Sequence, residues 1–269
     1  MKPASARFGD NGEILLDRIR EHVALITINR PEKRNACNQQ AWRGLRTALA
    51  AAGAAHAARL TILTGAGGHF SAGDDVKDAA AARRDPTREE AYSRDIQLAF
   101  GALTEAPFPV IAAISGYCIG GGLSLAMCCD FRIGAKTAEF GIPASRLGVT
   151  YPPAQCSRLM TLVGLSRARS MLFSSERIDA ATGLSSGLLD GLAEADPVEA
   201  ALSFGSGMID KAPLSIHASK RIFQALAIGD LAGHAAEIAA LMRKAETSED
   251  LQEGTRAFLE KRKPTFKGR

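Results

Sequence analysis

A run of three glycines at the start of an apolar segment constrains the fold of this chain more than any other feature. The glycines are residues 120–122 of the stretch VIAAISGYCIGGGLSLAMCCD, which covers residues 110–130. Residues 110–115 predict a buried strand, and the apolar residues from about Leu123 predict a helix. Because glycine has no side chain, a ligand can reach the N–H groups at the start of this helix, with the positive end of the helix dipole behind them. The pattern indicates a site for a negatively charged oxygen.

A second stretch has the same character. Residues 59–64 (RLTILT) predict a strand, a glycine loop follows, and residues 70–76 read FSAGDDV. Small residues at this point allow a ligand to approach the backbone closely. Two such stretches predict an oxyanion hole made of peptide N–H groups, which stabilises negative charge that develops on an oxygen during a reaction.

Composition argues against several other classes of function. The chain has 269 residues, of which 46% are apolar, so it can build one domain with a small appendage. The formal charge is +4, and Lys and Arg are spread out except in the final EKRKPTFKGR, which predicts no nucleic-acid surface. No run approaches the roughly 20 apolar residues of a membrane span, and the N-terminus lacks an apolar signal core. We therefore expect a soluble, cytoplasmic protein.

The cysteines and histidines predict neither disulfides nor a metal site. The five cysteines show no paired-loop spacing, and four lie in apolar contexts, as expected of buried free thiols in a reducing compartment. His22 and His69 have no second ligand at helix or loop spacing. The TGAGG segment lacks the GxGxxG spacing of a dinucleotide site.

The order of elements predicts an α/β protein. Short β-type runs cover residues 14–20 and 23–29, and Asn38 can cap a helix over 39–52. The Ala- and Arg-rich residues 79–86 lack periodicity and predict a mobile cover, after which Thr87 caps a helix that ends near Leu103. From Pro197 the pattern is wholly helical, at about 198–210, 213–227, 231–245 and 249–261. We predict an α/β core over residues 1–190 and a helical region over 191–269.

Five segments, in this order and at suitable spacings, carry a resemblance to a known family. They are NRPEKRNACN, TGAGGHFSAGDDV, GYCIGGGLSLAMCCDFRIG, EFGIPASRLGVTYPP and SEDLQEGTRAFLEKRKPTF. Together they resemble the enoyl-CoA hydratase/isomerase (crotonase) superfamily over essentially the whole chain. The resemblance implies a spiral of ββα units, followed by helices that assemble homotrimers, often paired into hexamers. It also implies an acyl-CoA substrate whose thioester enolate is stabilised by two N–H groups, with coenzyme A as part of the substrate and no separate cofactor.

The resemblance also implies individual site residues. By position in the motifs, the two N–H donors are those of Asp74 and Gly121. The coenzyme A contacts that the resemblance implies are a backbone cradle for the adenine at Ser71, Ala72 and Asp75, a phosphate partner at Lys33, and nucleotide contacts at Phe258 and Lys261, often from a neighbouring subunit. The alternative for either lysine is a solvated surface position.

The chain departs from the family pattern at both hydratase glutamates. In the pattern GGGxE the glutamate position is Ser124, and in FGxPE it is Ala144. Adding water to an enoyl group requires a base for the water and a proton donor for the α-carbon, and losing each typically costs about 10²–10⁴-fold in rate. We therefore expect neither ordinary hydration nor an isomerisation that depends on a glutamate at position 144.

The remaining polar residues favour a lyase-type step. The segment LGVTY places Tyr151 with a spacing that resembles methylmalonyl-CoA decarboxylase, and loss of CO₂ generates the enolate without a base. Tyr151 could orient the leaving carboxylate or help to protonate the enolate; the alternative is a tyrosine packed beneath the prolines that follow. Ser124 is a hydrogen-bond donor or relay in this reading, or a helix residue bonded to its own backbone.

Asp74 counts against the decarboxylase reading, because that resemblance would place a histidine there. Its carboxylate would repel an enolate unless it turned away or were protonated. It could instead be a base at the α-carbon, which favours isomerisation, or a solvent-facing side chain that contributes only its N–H. A rival of another class is a non-catalytic coenzyme A-binding protein that has lost its chemistry.

Overall fold

The computed structural model describes residues 5–269, which form two β-sheets surrounded by helices. The strands are β1 (Ala6–Phe8), β2 (Ile14–Arg20), β3 (Val23–Ile28), β4 (Leu60–Gly65), β5 (Val110–Ile114), β6 (Tyr117–Ile119), β7 (Phe131–Ala135), β8 (Glu139–Gly141), β9 (Arg177–Asp179) and β10 (Gly191–Ala193). The helices are α1 (Gln39–His56), α2 (Val76–Ala82), α3 (Pro86–Glu105), α4 (Gly121–Cys128), α5 (Ala144–Leu147), α6 (Pro153–Phe173), α7 (Ala180–Ser185), α8 (Pro197–Ile209), α9 (Pro213–Ala227), α10 (Ala235–Glu246) and α11 (Glu249–Leu259). The predicted α/β class is confirmed.

The larger sheet has the strand order β1-β2-β3-β4-β5-β7-β10. The first three strands are antiparallel, and every pairing from β3 to β10 is parallel. Strand β5 is buried along its whole length, because α1 and α3 lie on one side of the sheet and α8 packs on the other. A strand covered on both faces must be apolar throughout, which explains the run VIAAI.

The smaller sheet, β6-β8-β9, brings the glycine-rich segments together. Residues 71–74 run between this sheet and the start of α1, through bridges that join Ser71 to Cys118 and Asp74 to Cys37. Helix α4 follows β6 after one residue, so its first turn lies beside the same segment. The fold therefore places both stretches singled out in the sequence at one point.

Residues 79–86 were predicted to be an irregular, mobile cover, and the prediction of irregular structure is wrong. Helix α2 continues to Ala82, and α3 begins at Pro86 with Asp85, not Thr87, as its N-cap. The alanines have high helix propensity, and Asp75 caps α2 by accepting a hydrogen bond from the N–H of Lys77. These two local signals are sufficient for a helix without an apolar period.

Residues after 190 begin by completing the larger sheet. Strand β10 pairs with β7, and α8 packs on β4, β5 and β7. Helices α9, α10 and α11 follow, at bounds close to those predicted from the sequence. The domain boundary at 190 stays a prediction. Within residues 5–269, no helix is both long and apolar enough to cross a membrane.

Candidate active site

The peptide nitrogens of Asp74 and Gly121 lie close together, although 47 positions separate them in the sequence. A Cβ atom built on Gly121 would lie 3.4 Å from the nitrogen of Asp74, and one built on Gly73 would lie 3.0 Å from the nitrogen of Gly121. Neither N–H donates a hydrogen bond to another residue of the described chain. The pair is therefore free to bind an oxygen atom between them.

The segment before Asp74 is fixed by its own hydrogen bonds. The Ser71 hydroxyl donates to the carbonyl of Asn35 at 2.7 Å and accepts from the N–H of Gly73 at 3.1 Å. On either side of Asp74, Cys37 accepts from the N–H of Asp75 and donates to the carbonyl of Gly73. Gly73 has φ +99°, a conformation suited to glycine, and a Cβ there would meet the carbonyl of Ile119 at 2.6 Å. This geometry leaves the N–H of Asp74 without an internal partner.

The other donor comes from the start of α4. Gly120 caps the helix with φ +55°, and its N–H donates to the carbonyl of Gly141. Gly121 is then the first helical residue, whose N–H has no partner within the helix. A Cβ on Gly122 would lie 2.4 Å from the carbonyl oxygen of Ser71, so α4 packs directly against the segment that carries Asp74. The third glycine is required for this close packing.

Ser124 and Tyr151 form a hydrogen-bonded pair one turn into α4. Their hydroxyl groups are in direct contact, and the Tyr151 hydroxyl also donates to the carbonyl of Gly120 at 3.2 Å. Because the Tyr151 hydroxyl directs its proton toward that carbonyl, the Ser124 hydroxyl donates its own proton to the phenol oxygen of Tyr151. Burial raises the pKa of Tyr151 well above its usual range, so the phenol stays neutral. The pair therefore offers neutral hydroxyls where the family pattern has a carboxylate.

The second glutamate position is also without a carboxylate. Ala144 is the first residue of α5 and is buried. The carboxyl group that is nearest in sequence to an N–H donor is the side chain of Asp74 itself. Its Oδ1 accepts hydrogen bonds from the Tyr92 hydroxyl at 2.6 Å and from the Trp42 indole N–H at 3.2 Å. The Asp74 carboxyl group is therefore held in place by two hydrogen bonds and is not a solvent-facing surface group.

The surroundings of Asp74 act on the pKa of its carboxyl group in opposite directions, and burial has the larger effect. Burial raises the pKa of Asp74 above its ordinary value, and the hydrogen bonds from Tyr92 and Trp42 oppose this rise. The Trp42 ring lies beside the N–H pair, since two of its carbons are 3.5 Å from a Cβ built on Gly121. Trp42 and Tyr92 were not predicted as site residues from the sequence. The only available signal was that Trp42 shares the apolar face of its helix with Leu45 and Leu49.

The predicted coenzyme A residues lie in two places. Ser71, Ala72 and Asp75 flank Asp74; Ser71 is fully buried, the N–H of Ala72 donates to the carbonyl of Arg34, and Asp75 pairs with Arg30 at 3.1 Å. Lys33 is exposed at the end of the 3-10 turn Pro31–Lys33, which precedes α1. Phe258 and Lys261 lie at the end of α11, where Phe258 is 82% exposed. Their roles toward coenzyme A stay predictions.

Potential metal ligands, cysteines and a second groove within residues 5–269 do not indicate another reactive site. Within residues 5–269, no three His, Cys, Asp or Glu side chains are grouped as metal ligands. Four of the five cysteines are buried, and burial raises the pKa of Cys37 to about 12, which makes its thiol unreactive. A groove of about 480 Å³ lies between α6 and α9, at the C-terminal end of α4, and contains neither N–H donor.

Comparison with known proteins gives consistent matches over the length of the chain. Residues 18–269 match the family model described as enoyl-CoA hydratase/isomerase. The chain is 33% identical to 2,3-dehydroadipyl-CoA hydratase of Escherichia coli K12 over 96% of this chain and 99% of that protein. It is 36% identical to a protein named probable enoyl-CoA hydratase echA6 of Mycobacterium leprae, over 92% and 97% of the two chains.

Solved structures match equally well. An enoyl-CoA hydratase/isomerase family protein from Hyphomonas neptunium aligns with a TM-score of 0.86 at 34% identity, covering 96% of this chain and 98% of the other. DspI of Pseudomonas aeruginosa aligns with a TM-score of 0.85 at 31% identity, over 97% and 98%. These matches confirm the predicted fold family.

Proposed function

Because the chain belongs to the enoyl-CoA hydratase/isomerase family, we propose that it binds an acyl-CoA thioester between the N–H groups of Asp74 and Gly121 and stabilises the enolate there. The observation that carries this proposal is the pair of adjacent peptide N–H groups without internal partners. Removing one donor of such a pair typically costs about 3–4 kcal/mol of transition-state stabilisation.

For the specific reaction, we propose a lyase-type step such as decarboxylation. Breaking a C–C bond next to the thioester leaves the electron pair on the α-carbon, so the enolate forms without proton abstraction by a base. The absence of a carboxylate at positions 124 and 144 supports this choice, because hydration requires acid–base groups. The Ser124–Tyr151 pair is neutral, so it does not repel a leaving carboxylate. One of the two hydroxyls can orient that carboxylate if it turns its proton from its internal acceptor to the substrate.

Hydration or double-bond isomerisation is the second candidate. Its support is that relatives at 33–36% identity are named hydratases. It requires a proton-transfer group other than the two missing glutamates, and the carboxyl of Asp74 is the available one. A non-catalytic protein that binds acyl-CoA is the third reading, and it rests on the same missing groups.

The assembly that we propose is a homotrimer or a pair of trimers, as the family resemblance implies. Helix α9 supports an interface, because it exposes Phe223 and Leu226 to 70% and 55%. The acyl-CoA is the partner at each site, and coenzyme A is part of that substrate.

The first experiment is incubation of the protein with methylmalonyl-CoA and with crotonyl-CoA, each followed by mass spectrometry. We expect loss of CO₂ from methylmalonyl-CoA and no gain of water on crotonyl-CoA. Gain of water would contradict the lyase assignment and support hydration. Binding of both thioesters without turnover, on these and a wider panel, would support the non-catalytic reading.

A further inference from the structure

The carboxyl group of Asp74 has a geometry that its N–H role does not explain. One oxygen, Oδ1, is held by the Tyr92 hydroxyl and the Trp42 indole. Among residues 5–269, no donor is bonded to the other oxygen, Oδ2, and that atom is not sealed from solvent. Two donors from α1 and α3 thus fix the carboxyl group beside the N–H pair and leave one oxygen available.

The proposed reaction needs a proton that the other site residues supply poorly. After the C–C bond breaks, the α-carbon of the enolate must take up one proton. The Tyr151 phenol is a weak acid because burial favours its neutral form, and a serine hydroxyl is weaker still. Of the other carboxyl groups nearby, Asp75 is paired with Arg30 and Asp78 accepts from the backbone N–H of Gln39.

We propose that the Asp74 carboxyl group, in its protonated form, delivers this proton from Oδ2 to the α-carbon, and that Tyr92 and Trp42 are its positioning residues. The proposal rests on the lyase function proposed above. It assigns two roles to one residue: the backbone N–H binds the thioester oxygen, and the side chain protonates the carbon.

The step balances in atoms and charge. The bond between the α-carbon and the carboxylate breaks, CO₂ leaves, and the electron pair moves into the enolate, whose oxygen is bound by the two N–H groups. The enolate then collapses to the thioester as its α-carbon takes the proton from Oδ2 of Asp74. The resulting carboxylate regains a proton from solvent, so one solvent proton is consumed for each CO₂ released.

Substrate binding itself favours the protonated form. A malonyl-type carboxylate close to Asp74 would place two like charges in one site, and two carboxyl groups in this position share a proton. The other charges that act on Asp74 are Arg83, which favours its ionised form, and Asp78, which opposes ionisation. Tyr92 and Cys37 face it as neutral groups, because burial raises the pKa of both.

The test compares Asp74→Asn with two variants that shift the proton equilibrium in opposite directions. Asp74→Asn keeps the backbone N–H and a side-chain oxygen for Tyr92 and Trp42 but cannot deliver the proton. We expect kcat for methylmalonyl-CoA to fall about 10²–10⁴-fold, the range for loss of a general acid, with little change in KM. The folded state is checked by circular dichroism and by retained acyl-CoA binding.

The pH profile of kcat separates a proton donor from a structural group. Activity that requires protonated Asp74 falls as pH rises through its pKa in the complex. Tyr92→Phe removes a donor that favours the ionised form, so the alkaline limb should move to higher pH. Asp78→Asn removes a neighbouring negative charge, so the limb should move to lower pH.

Two outcomes overturn the proposal in distinguishable ways. If wild-type protein decarboxylates methylmalonyl-CoA and Asp74→Asn does so at the same rate with the same pH profile, the proton-donor role is wrong and the lyase function stands. If the wild-type protein releases no CO₂ from methylmalonyl-CoA or other α-carboxyl thioesters, the lyase function fails, and the donor role fails with it.

Discussion

At the scale of single residues, Ser124 and Tyr151 act as one unit. Each hydroxyl is the other's partner, and the chain of hydrogen bonds ends at the carbonyl of Gly120, the residue before an N–H donor. A change in either hydroxyl therefore leaves a polar group without its partner next to the N–H groups of Asp74 and Gly121. Such a deletion typically costs about 1–3 kcal/mol when the remaining group is buried.

This coupling predicts the outcome of a double-mutant cycle. We expect Tyr151→Phe and Ser124→Ala each to lower kcat/KM for the active thioester by about tenfold or more, which corresponds to roughly 1.4 kcal/mol. We expect the double variant to lose clearly less than the product of the two, because the first change already breaks the pair. Steady-state kinetics on the four proteins measures this. Independent, multiplicative effects would contradict a functional pair.

The side-chain contacts of the site could not be predicted from the sequence, although the missing carboxylates could. The missing carboxylates at positions 124 and 144 were evident from the motifs alone. The contact between Ser124 and Tyr151 was not, because 27 positions separate them and only the fold brings the two hydroxyls together. The same holds for Asp74, whose partners Trp42 and Tyr92 lie on two different helices. Motifs predicted which atoms the backbone presents, and long-range packing decided the side-chain partners.

At the scale of elements, two adjacent glycines at the start of α4 have different roles. Gly121 lies beside the N–H of Asp74, and Gly122 allows α4 to pack closely against Ser71. A Cβ on Gly121 would meet its neighbours at 3.4–3.5 Å, which is ordinary contact, whereas one on Gly122 would meet backbone of Ser71 at 2.4 Å. The methyl group of Gly121→Ala would occupy space beside the N–H of Asp74, where we propose that the thioester oxygen binds. The methyl group of Gly122→Ala would push α4 away from the segment 71–73.

These two variants have opposite expected signatures. Gly121→Ala should fold with nearly unchanged stability and lose most of its activity. Gly122→Ala should lose stability by about 1–3 kcal/mol, as overpacked sites do, with a correspondingly lower melting temperature. Thermal unfolding and turnover of both proteins provide the measurement, each variant being the control for the other. A destabilised Gly121→Ala with full residual activity per folded molecule would contradict the assignment of the N–H pair.

Elements were predicted well where the pattern was strong. The apolar runs of β4 and β5 and the capped start of α1 were evident, because burial on both faces and an Asn cap leave clear signals. Helix α2 was missed, because its stability comes from alanine propensity and an Asp cap instead of an apolar period. Yet α2 follows directly from the Asp74–Asp75 pair, so it bears on the geometry of the site.

At the scale of the whole molecule, a buried lysine is one of the groups that join the helices after the sheet to the core. The ammonium group of Lys220 on α9 donates to the carbonyls of Leu103 and Phe108 and to the Asp130 carboxylate at 2.7 Å. These partners come from the end of α3, from the connection between α3 and β5, and from the connection between α4 and β7. Lys220 therefore fixes α9 against the segments that precede β5 and β7, and the opposite face of the helix is held in place.

That outer face leads to a prediction about assembly. Phe223 is 70% exposed on α9 and lines an apolar groove with Phe131 and Ile216. Large exposed apolar side chains on a rigid helix are typical of an interface, and burying one phenylalanine is worth about 1.5–3 kcal/mol. We expect Phe223→Ser to shift the molar mass in light scattering from a trimer or hexamer toward the monomer, with the melting temperature falling on dilution.

The matched control is Leu184→Ser, which changes an exposed apolar residue on α7 and should leave the molar mass unchanged. A wild-type protein that is monomeric at all concentrations would contradict the proposed assembly, and it would leave the N–H pair as a site complete within one chain.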